Sequence, residues 1–224
     1  MINNFLFALI VVPLQSGLAL LLAMLINQKD IKGINVFRTI YFSPVVTSMV
    51  VVSVVWVFLY SQEGLINQFF SIFGLGPFDW LTSPQSALIA IIIMSIWQGV
   101  GFQMVIFLAG LQGIPDVLYE AASIDGAGML RKFWNVTIPQ LRNTIIFVAI
   151  STTILAFRLF TQVDVMTSGG PQDATTTVVY HAVEQGFRNQ RIAYGSAISV
   201  IFFLVVLVIA LLQRRFLQSS GEVE

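Results

Sequence analysis

Ala87-Leu-Ile-Ala-Ile-Ile-Ile-Met-Ser-Ile-Trp-Gln-Gly-Val-Gly-Phe-Gln-Met-Val-Ile-Phe-Leu-Ala-Gly110 runs without a single charged side chain. A helix needs about 20 such residues to cross roughly 30 Å of bilayer hydrocarbon. The run is continuous rather than alternating, so it is not a barrel strand. Four more segments read the same way, at about residues 5–26, 42–60, 145–160 (extended at either end) and 193–212. The first is not a signal peptide: no Lys or Arg precedes it, and no small-x-small cleavage site follows before Asn27. The expected fold is therefore all-α, a polytopic membrane protein with five transmembrane helices in one domain covering residues 1–224.

Composition agrees. Apolar types make up 57% of the 224 residues and charged types 10%, against roughly a quarter charged in ordinary soluble domains. Eleven basic and eleven acidic residues cancel, leaving no basic field to hold nucleic acid. Without cysteine there is no disulfide, thiolate catalysis or Cys-bound metal, and one histidine leaves no His-pair metal site. No cofactor is expected.

The basic residues set the orientation. Lys29, Lys32 and Arg38 fall in loop 27–41, Arg131, Lys132 and Arg142 in loop 111–142, and Arg214 and Arg215 in the tail. The alternate loops hold only Arg188 and Arg191. This distribution places the N-terminus outside and the C-terminus in the cytoplasm.

In the outer loop 61–86, Leu65, Ile66, Phe69, Phe70 and Phe73 share one helical face. They predict a short helix lying flat at the surface, with Trp80 as an interface anchor. Ala19 with Ala23, and Gly195 with Ser199, provide small-residue spacing for close helix approach.

Loop 111–142 carries the strongest signal. Pro115 suits a first helical position, and Asp116 complements the helix dipole. Val117, Leu118, Ala121 and Ile124 form an apolar stripe, Gly126 and Gly128 break it, and a second short helix follows at about 129–135 before Pro139 opens the next span. The result is a helix–turn–helix with a weakly charged surface that needs something to dock against, or an ordinary loop packed on its own helix ends.

Glu120-Ala121-Ala122, three residues, Gly126, nine residues, then Val136-Thr137-Ile138-Pro139 resembles the EAA loop of membrane subunits of binding-protein-dependent type I ABC importers. The family reads Ile-x-Leu-Pro at the end, so Val136 and Ile138 are conservative departures. Phe37-Arg38-Thr39 leading to Pro44, Ile96–Phe102, Leu108–Pro115 and Val165–Pro171 with Ala174-Thr175 are similar to carbohydrate-uptake permeases. Several expectations follow from the resemblance. Glu120, Ala121, Ala122, Asp125, Gly126, Gly128 and Pro139 would form a cytoplasmic coupling loop seated on separate ATPase subunits. A second permease chain, different from this one, would complete the pathway, an extracytoplasmic solute-binding protein would deliver a sugar, and Gly169, Gly170 and Pro171 would lie near that protein. The location would be the bacterial inner membrane. Such permeases usually have six spans, so the chain reads as lacking the first, through truncation or as a five-span core.

Pathway candidates come from the spans. Gln98 and Gln103 are polar in apolar surroundings, and Ser151, Leu155, Arg158 and Gln162 fall on one helical stripe. Amides and hydroxyls suit a neutral sugar, or they are interhelical polar contacts. Arg158 must face a wet cavity, pair with an acid such as Asp164, or reach the outer surface. The family commonly has a neutral residue there.

ATP hydrolysis is not expected in this chain, since no G-x-x-x-x-G-K-[ST] loop is present. His181 beside Glu184 reads as a surface contact. No H-E-x-x-H or G-x-S-x-G motif supports an enzyme. The rival transporter class, a secondary transporter or channel, would place coupling carboxylates in the membrane, yet Asp and Glu lie almost wholly in loops.

Overall fold

A backbone among apolar side chains and lipid has to satisfy its own N–H and C=O groups, and helix does so within one segment. The computed structural model describes residues 1–27 and 34–219, and among these there is no strand. Lys29 and Lys32, two residues behind the expected orientation, lie outside the described residues.

Helix α1 (Ile2–Ile26) buries Asn4, Phe7, Ala8, Val11, Gln15, Ala19, Ala23 and Ile26. These residues form a row at three- and four-residue spacing, one stripe of a helix. The next helices are α2 (Ile34–Val46), α3 (Met49–Leu59), α4 (Leu65–Ser71) and α5 (Ala87–Gln112). The stripe of α1 packs chiefly on α5, which is the central helix: 56% of its span window is buried, against 28% for α1. Ala19 and Ala23 are fully buried in this contact, as their spacing predicts.

The second expected span is not one continuous helix. Its halves, Val36–Val46 and Met49–Leu59, meet at 99°. Pro44 has no N–H to extend the ladder. The Thr47 hydroxyl donates back to the Ser43 carbonyl at 3.1 Å, and Ser48 takes an extended conformation (φ −55°, ψ 132°). The Ser48 carbonyl then accepts from Val52 N–H at 3.0 Å to start α3. After the break α2 lies on α5, while α3 packs mainly on a later short helix.

In the loop after α3, the expected short helix forms as α4. Leu65, Phe69 and Phe73 stay exposed, while Asn67 points inward. Its amide donates to the Ser61 and Phe78 carbonyls, and its oxygen accepts from Phe78 N–H and Trp80 Nε1. Trp80 packs among Tyr60, Phe70 and Phe78.

Beyond α5 come α6 (Asp116–Ile124), α7 (Met129–Lys132), a π-helical turn (Phe133–Thr137) and α8 (Ile138–Gln140). Met129–Gln140 acts as one rod that meets α9 (Arg142–Phe157) at 69°. Pro139 lies inside this rod, at the start of α8. The rod and α9 are long and apolar enough to cross a membrane only as a pair, broken at Leu141, which is fully buried under Gly110.

Helix α9 ends earlier than expected. Arg158 (φ −80°, ψ 12°) and Phe160 (φ −138°, ψ −63°) leave helical geometry, and α10 (Thr161–Met166) continues separately, packed on α3. The single stripe through Ser151, Leu155, Arg158 and Gln162 is thus interrupted at Arg158. After α11 (Val178–Val183) and a π-helical turn (Glu184–Arg188), α12 (Ile192–Ser219) forms the last span. Gly195 lets α12 approach closely, because a Cβ there would sit 2.8 Å from the Gly186 Cα. Only 11% of the α12 span window is buried, so most of its apolar surface faces outward from the chain.

The loops sort to two ends. Asn3 donates to the Asp173 and Thr176 carbonyls at 3.1 and 2.9 Å, joining the N-terminus to segment 161–191. Arg142 donates to the Leu217 carbonyl at 3.0 Å, joining loop 111–142 to the end of α12. Segments 161–191 and 111–142 thus sit at opposite ends of α9.

Candidate functional site

Where α1, α5 and α9 meet α10, a cleft of about 300 Å³ opens among Gln15, Met49, Ser95, Gln98, Gly99, Thr152, Leu155, Arg158, Thr161 and Gln162. Gln98, Arg158 and Gln162 were expected at such a place, and the structure brings them together despite the break in α9. Gln98 Nε2 donates to the Pro44 carbonyl at 3.4 Å. That carbonyl would have bonded the N–H four residues on, had the helix continued through Ser48. The Gln98 side chain thus caps the broken span while it faces the cleft.

Sequence reasoning missed Ser95, Thr152, Thr161 and, above all, Gln15. It is buried on α1 and lies against Gly99, where a Cβ would come within 2.3 Å of Gln15 Nε2. Its signal was an amide in the middle of the inward row of a largely apolar helix. Gln103 and Ser151 are placed elsewhere. Gln103 is buried and donates to Thr152 Oγ1 at 2.5 Å, joining α5 to α9. The Ser151 hydroxyl bonds the Phe147 and Val148 carbonyls of its own helix.

Arg158 is exposed and lines the cleft. Its expected partner is engaged elsewhere: Asp164 pairs with Arg188, which also donates to Tyr180 OH at 3.2 Å. The hydrogen bond and charge of Asp164 hold the Arg188 guanidinium above its ordinary pKa. The cleft contains no carboxylate.

The turn at Gly169, Gly170 and Pro171 is a hydrogen-bonded structure. Gly169 has φ +83°, a region that favours glycine, and any Cβ there would meet Thr176 and Tyr180 at 2.8 Å. Its carbonyl accepts from the Thr176 hydroxyl at 3.0 Å, and that of Gly170 accepts from the Thr175 hydroxyl at 2.8 Å. Tyr180 OH donates to the Ser168 carbonyl at 2.8 Å. Asn4, fully buried, ties this region to α9. It donates to the Phe157 carbonyl at 3.3 Å and accepts from Val178 N–H at 3.0 Å. Nearby, His181 Nδ1 lies 3.8 Å from Glu184 at a half-exposed position.

At the other end, α6 closes on Gly126 (φ +73°). Ala127 N–H bonds the Ala122 carbonyl at 2.9 Å and Gly126 N–H the Ser123 carbonyl at 3.0 Å, a Schellman closure. Tyr119 OH lies 3.0 Å from Thr137 Oγ1, and Lys132 donates to Ser123 Oγ at 2.6 Å. These contacts fix α6 against α7 and the π-helical turn. The expected stripe is divided: Leu118 turns inward, while Val117, Ala121 and Ile124 face out. Ile124, Met129 and Leu130 are among the most exposed apolar side chains of the chain, at 87%, 86% and 77%. Glu120 and Asp125 are exposed beside them, as are Gly126 and Gly128, whereas Ala122 is half-buried.

Broken spans around a cleft that sets amides and an arginine among apolar side chains, with a two-helix arm at one end, define a polytopic solute-transport subunit. The chain belongs to the family of binding-protein-dependent transport system inner membrane components, whose pattern matches residues 1–220. It is 34% identical over 224 residues to the probable ABC transporter permease protein YurN of Bacillus subtilis, covering 98% of this chain and 77% of that one. The trehalose/maltose transport system permease protein MalF of Thermococcus litoralis is 38% identical over 202 residues, covering 90% of this chain and 68% of that one. In fold the chain matches a bacterial ABC transporter involved in import of the acidic polysaccharide alginate, with TM-score 0.88 over 98% of this chain and 78% of that chain, at 24% identity.

Proposed function

We propose that this chain is one membrane subunit of an ATP-driven importer for a carbohydrate-type solute. A second permease chain would close the cleft from the far side. A soluble binding protein would deliver cargo at the end bearing Gly169–Pro171, outside the cell, and ATPase subunits would seat on α6 and α7 in the cytoplasm. The N-terminus then faces outward and the C-terminus inward. The observation that carries this reading is the arm. Apolar side chains at Ile124, Met129 and Leu130 stand on a backbone locked by a Schellman closure and two side-chain hydrogen bonds, and such a surface is stable in water only when something covers it.

The rival reading, an ion-coupled transporter working without an ATPase, lacks its chemistry here. Among the described residues, none of the spanning helices carries Asp or Glu. In the proposed cycle, ATP and loaded binding protein both favour the outward-facing state. The α6–α7 arm passes ATPase closure to α5 and α9, to which it is directly joined. The test is ATP hydrolysis by the reconstituted complex with and without loaded binding protein. Stimulation supports the reading, and a rate indifferent to binding protein contradicts it.

A further inference from the structure

One cation in the cleft has no counter-ion among the described residues. Among the described residues, the Arg158 guanidinium has no carboxylate within ion-pair distance. The nearest acid in sequence, Asp164, is held by Arg188. No Asp or Glu lines the cleft, and none lies in any spanning helix among the described residues. The other side of Arg158 borders a largely apolar groove of Ile154, Val178, Val179, Phe202 and Val206, whose one polar side chain, Ser199, donates its hydroxyl to the Gly195 carbonyl. The guanidinium's polar outlet is therefore the cleft, where Gln15, Gln98, Thr161 and Gln162 surround the same space. An unpaired arginine at membrane depth is costly and marks a functional position by default. Its planar fork matches the two oxygens of a carboxylate or phosphate, and the surrounding amides offer donors and acceptors to hydroxyl groups.

The geometry points to a cargo that carries an anionic group on a hydroxyl-rich body, with Arg158 as the residue that selects it. The anion is a carboxylate of the uronate type or a phosphate monoester. The inference rests on the importer reading and narrows its substrate class. Neutral sugar alone would leave the charge unmet each time water is displaced from the cleft.

The experiment measures binding to the nucleotide-free complex of both permeases and the ATPase subunits in lipid nanodiscs. The paired probes are tetragalacturonate against maltotetraose, and glycerol 3-phosphate against glycerol. At least one anionic probe should bind about tenfold or more tightly than its neutral counterpart, as a charge-assisted bidentate contact allows. Arg158→Gln should remove that preference, and Arg158→Lys should keep part of it. Titration separates the two anions. A phosphate loses its second charge below a pKa of about 6, so its preference should fall between pH 7 and 5, while that of a uronate should hold. Equal binding of charged and neutral probes by the wild-type complex overturns the inference, and so does a preference unchanged in Arg158→Gln. If Arg158→Gln does not assemble, the wild-type ratio and Arg158→Lys still decide. ATP-driven uptake of a neutral sugar that Arg158→Lys and Arg158→Gln leave unchanged would sink this inference and spare the importer reading. Absence of ATP-driven uptake for the binding protein's own ligand would sink the reading itself.

Discussion

The backbone carbonyl of Tyr41 occupies the place where a side chain on Gly101 would begin: a Cβ built there would lie 1.9 Å from that oxygen. Helix α2 therefore crosses α5 at backbone contact, the approach that small residues permit within membranes. This crossing holds the first half of the broken span, α2, while the second half, α3, turns away.

Gly101→Ala should force α2 off α5. Overpacking of this kind costs about 1–3 kcal/mol, read as a lower Tm of the solubilised complex. Gly17→Ala is the control, since a Cβ there meets nothing within 4 Å. It should be neutral or slightly stabilising, because alanine in a helix loses less backbone entropy than glycine. Equal losses at both positions would remove the crossing as the cause.

The bond between Gln103 and Thr152 predicts an asymmetry. Gln103→Leu leaves the Thr152 hydroxyl with its bond to the Val148 carbonyl at 2.6 Å, so it should cost little. Thr152→Val strands a buried amide whose oxygen already lacks a partner. A buried unsatisfied group costs about 1–3 kcal/mol, with membrane values toward the low end. Thermal denaturation of both variants checks the order, and a larger loss for Gln103→Leu would refute it.

Asn4 closes two backbone groups at helix ends, the Phe157 carbonyl at the end of α9 and the Val178 N–H at the start of α11. Asn4→Ala should cost about 1–3 kcal/mol and loosen segment 161–191, seen as faster proteolysis there. Asn3→Ala, nearer the surface, should cost less. A proteolysis rate unchanged in Asn4→Ala would show that the segment is held by its own hydrogen bonds.

The five apolar runs were legible because hydrocarbon thickness sets their length and their continuity excludes strand. The arm was legible too, from Pro115, Gly126 and the spacing between them. What local pattern could not show depends on partners far along the chain. The apolar run through Val46 and Met49 continues across a right-angle break, because the extended backbone at Ser48 is held by contacts of α2 with α5 and of α3 with α10. Asp164 is six residues from Arg158 in sequence but bonds Arg188 instead, since α9 ends at Phe157 and redirects the chain. Gln15 was hidden among apolar neighbours, and only Gly99 on another helix explains its burial.

The arm separates strain from contact. Gly126 has φ +73° and open space around it, whereas Gly128 (φ −69°) has open space and an ordinary conformation. Gly126→Val should disturb the closure of α6 through backbone strain of about 1–3 kcal/mol and lower coupled uptake. Gly128→Ala should fold normally. If Gly128→Ala lowers stimulated ATP hydrolysis nonetheless, its effect comes from added volume against the ATPase subunit, because the new Cβ touches nothing among the described residues. The apolar tip gives the complementary measurement. Ile124 and Met129 are nearly fully exposed, and burying such a side chain contributes about 1.5–3 kcal/mol. Ile124→Ser and Met129→Ser should each weaken recovery of the ATPase subunits by roughly tenfold or more. The chain's own Tm should stay unchanged, since neither side chain is buried within it. Full recovery of the ATPase subunits by the double variant would move the docking surface elsewhere on the loop and leave the transport fold untouched.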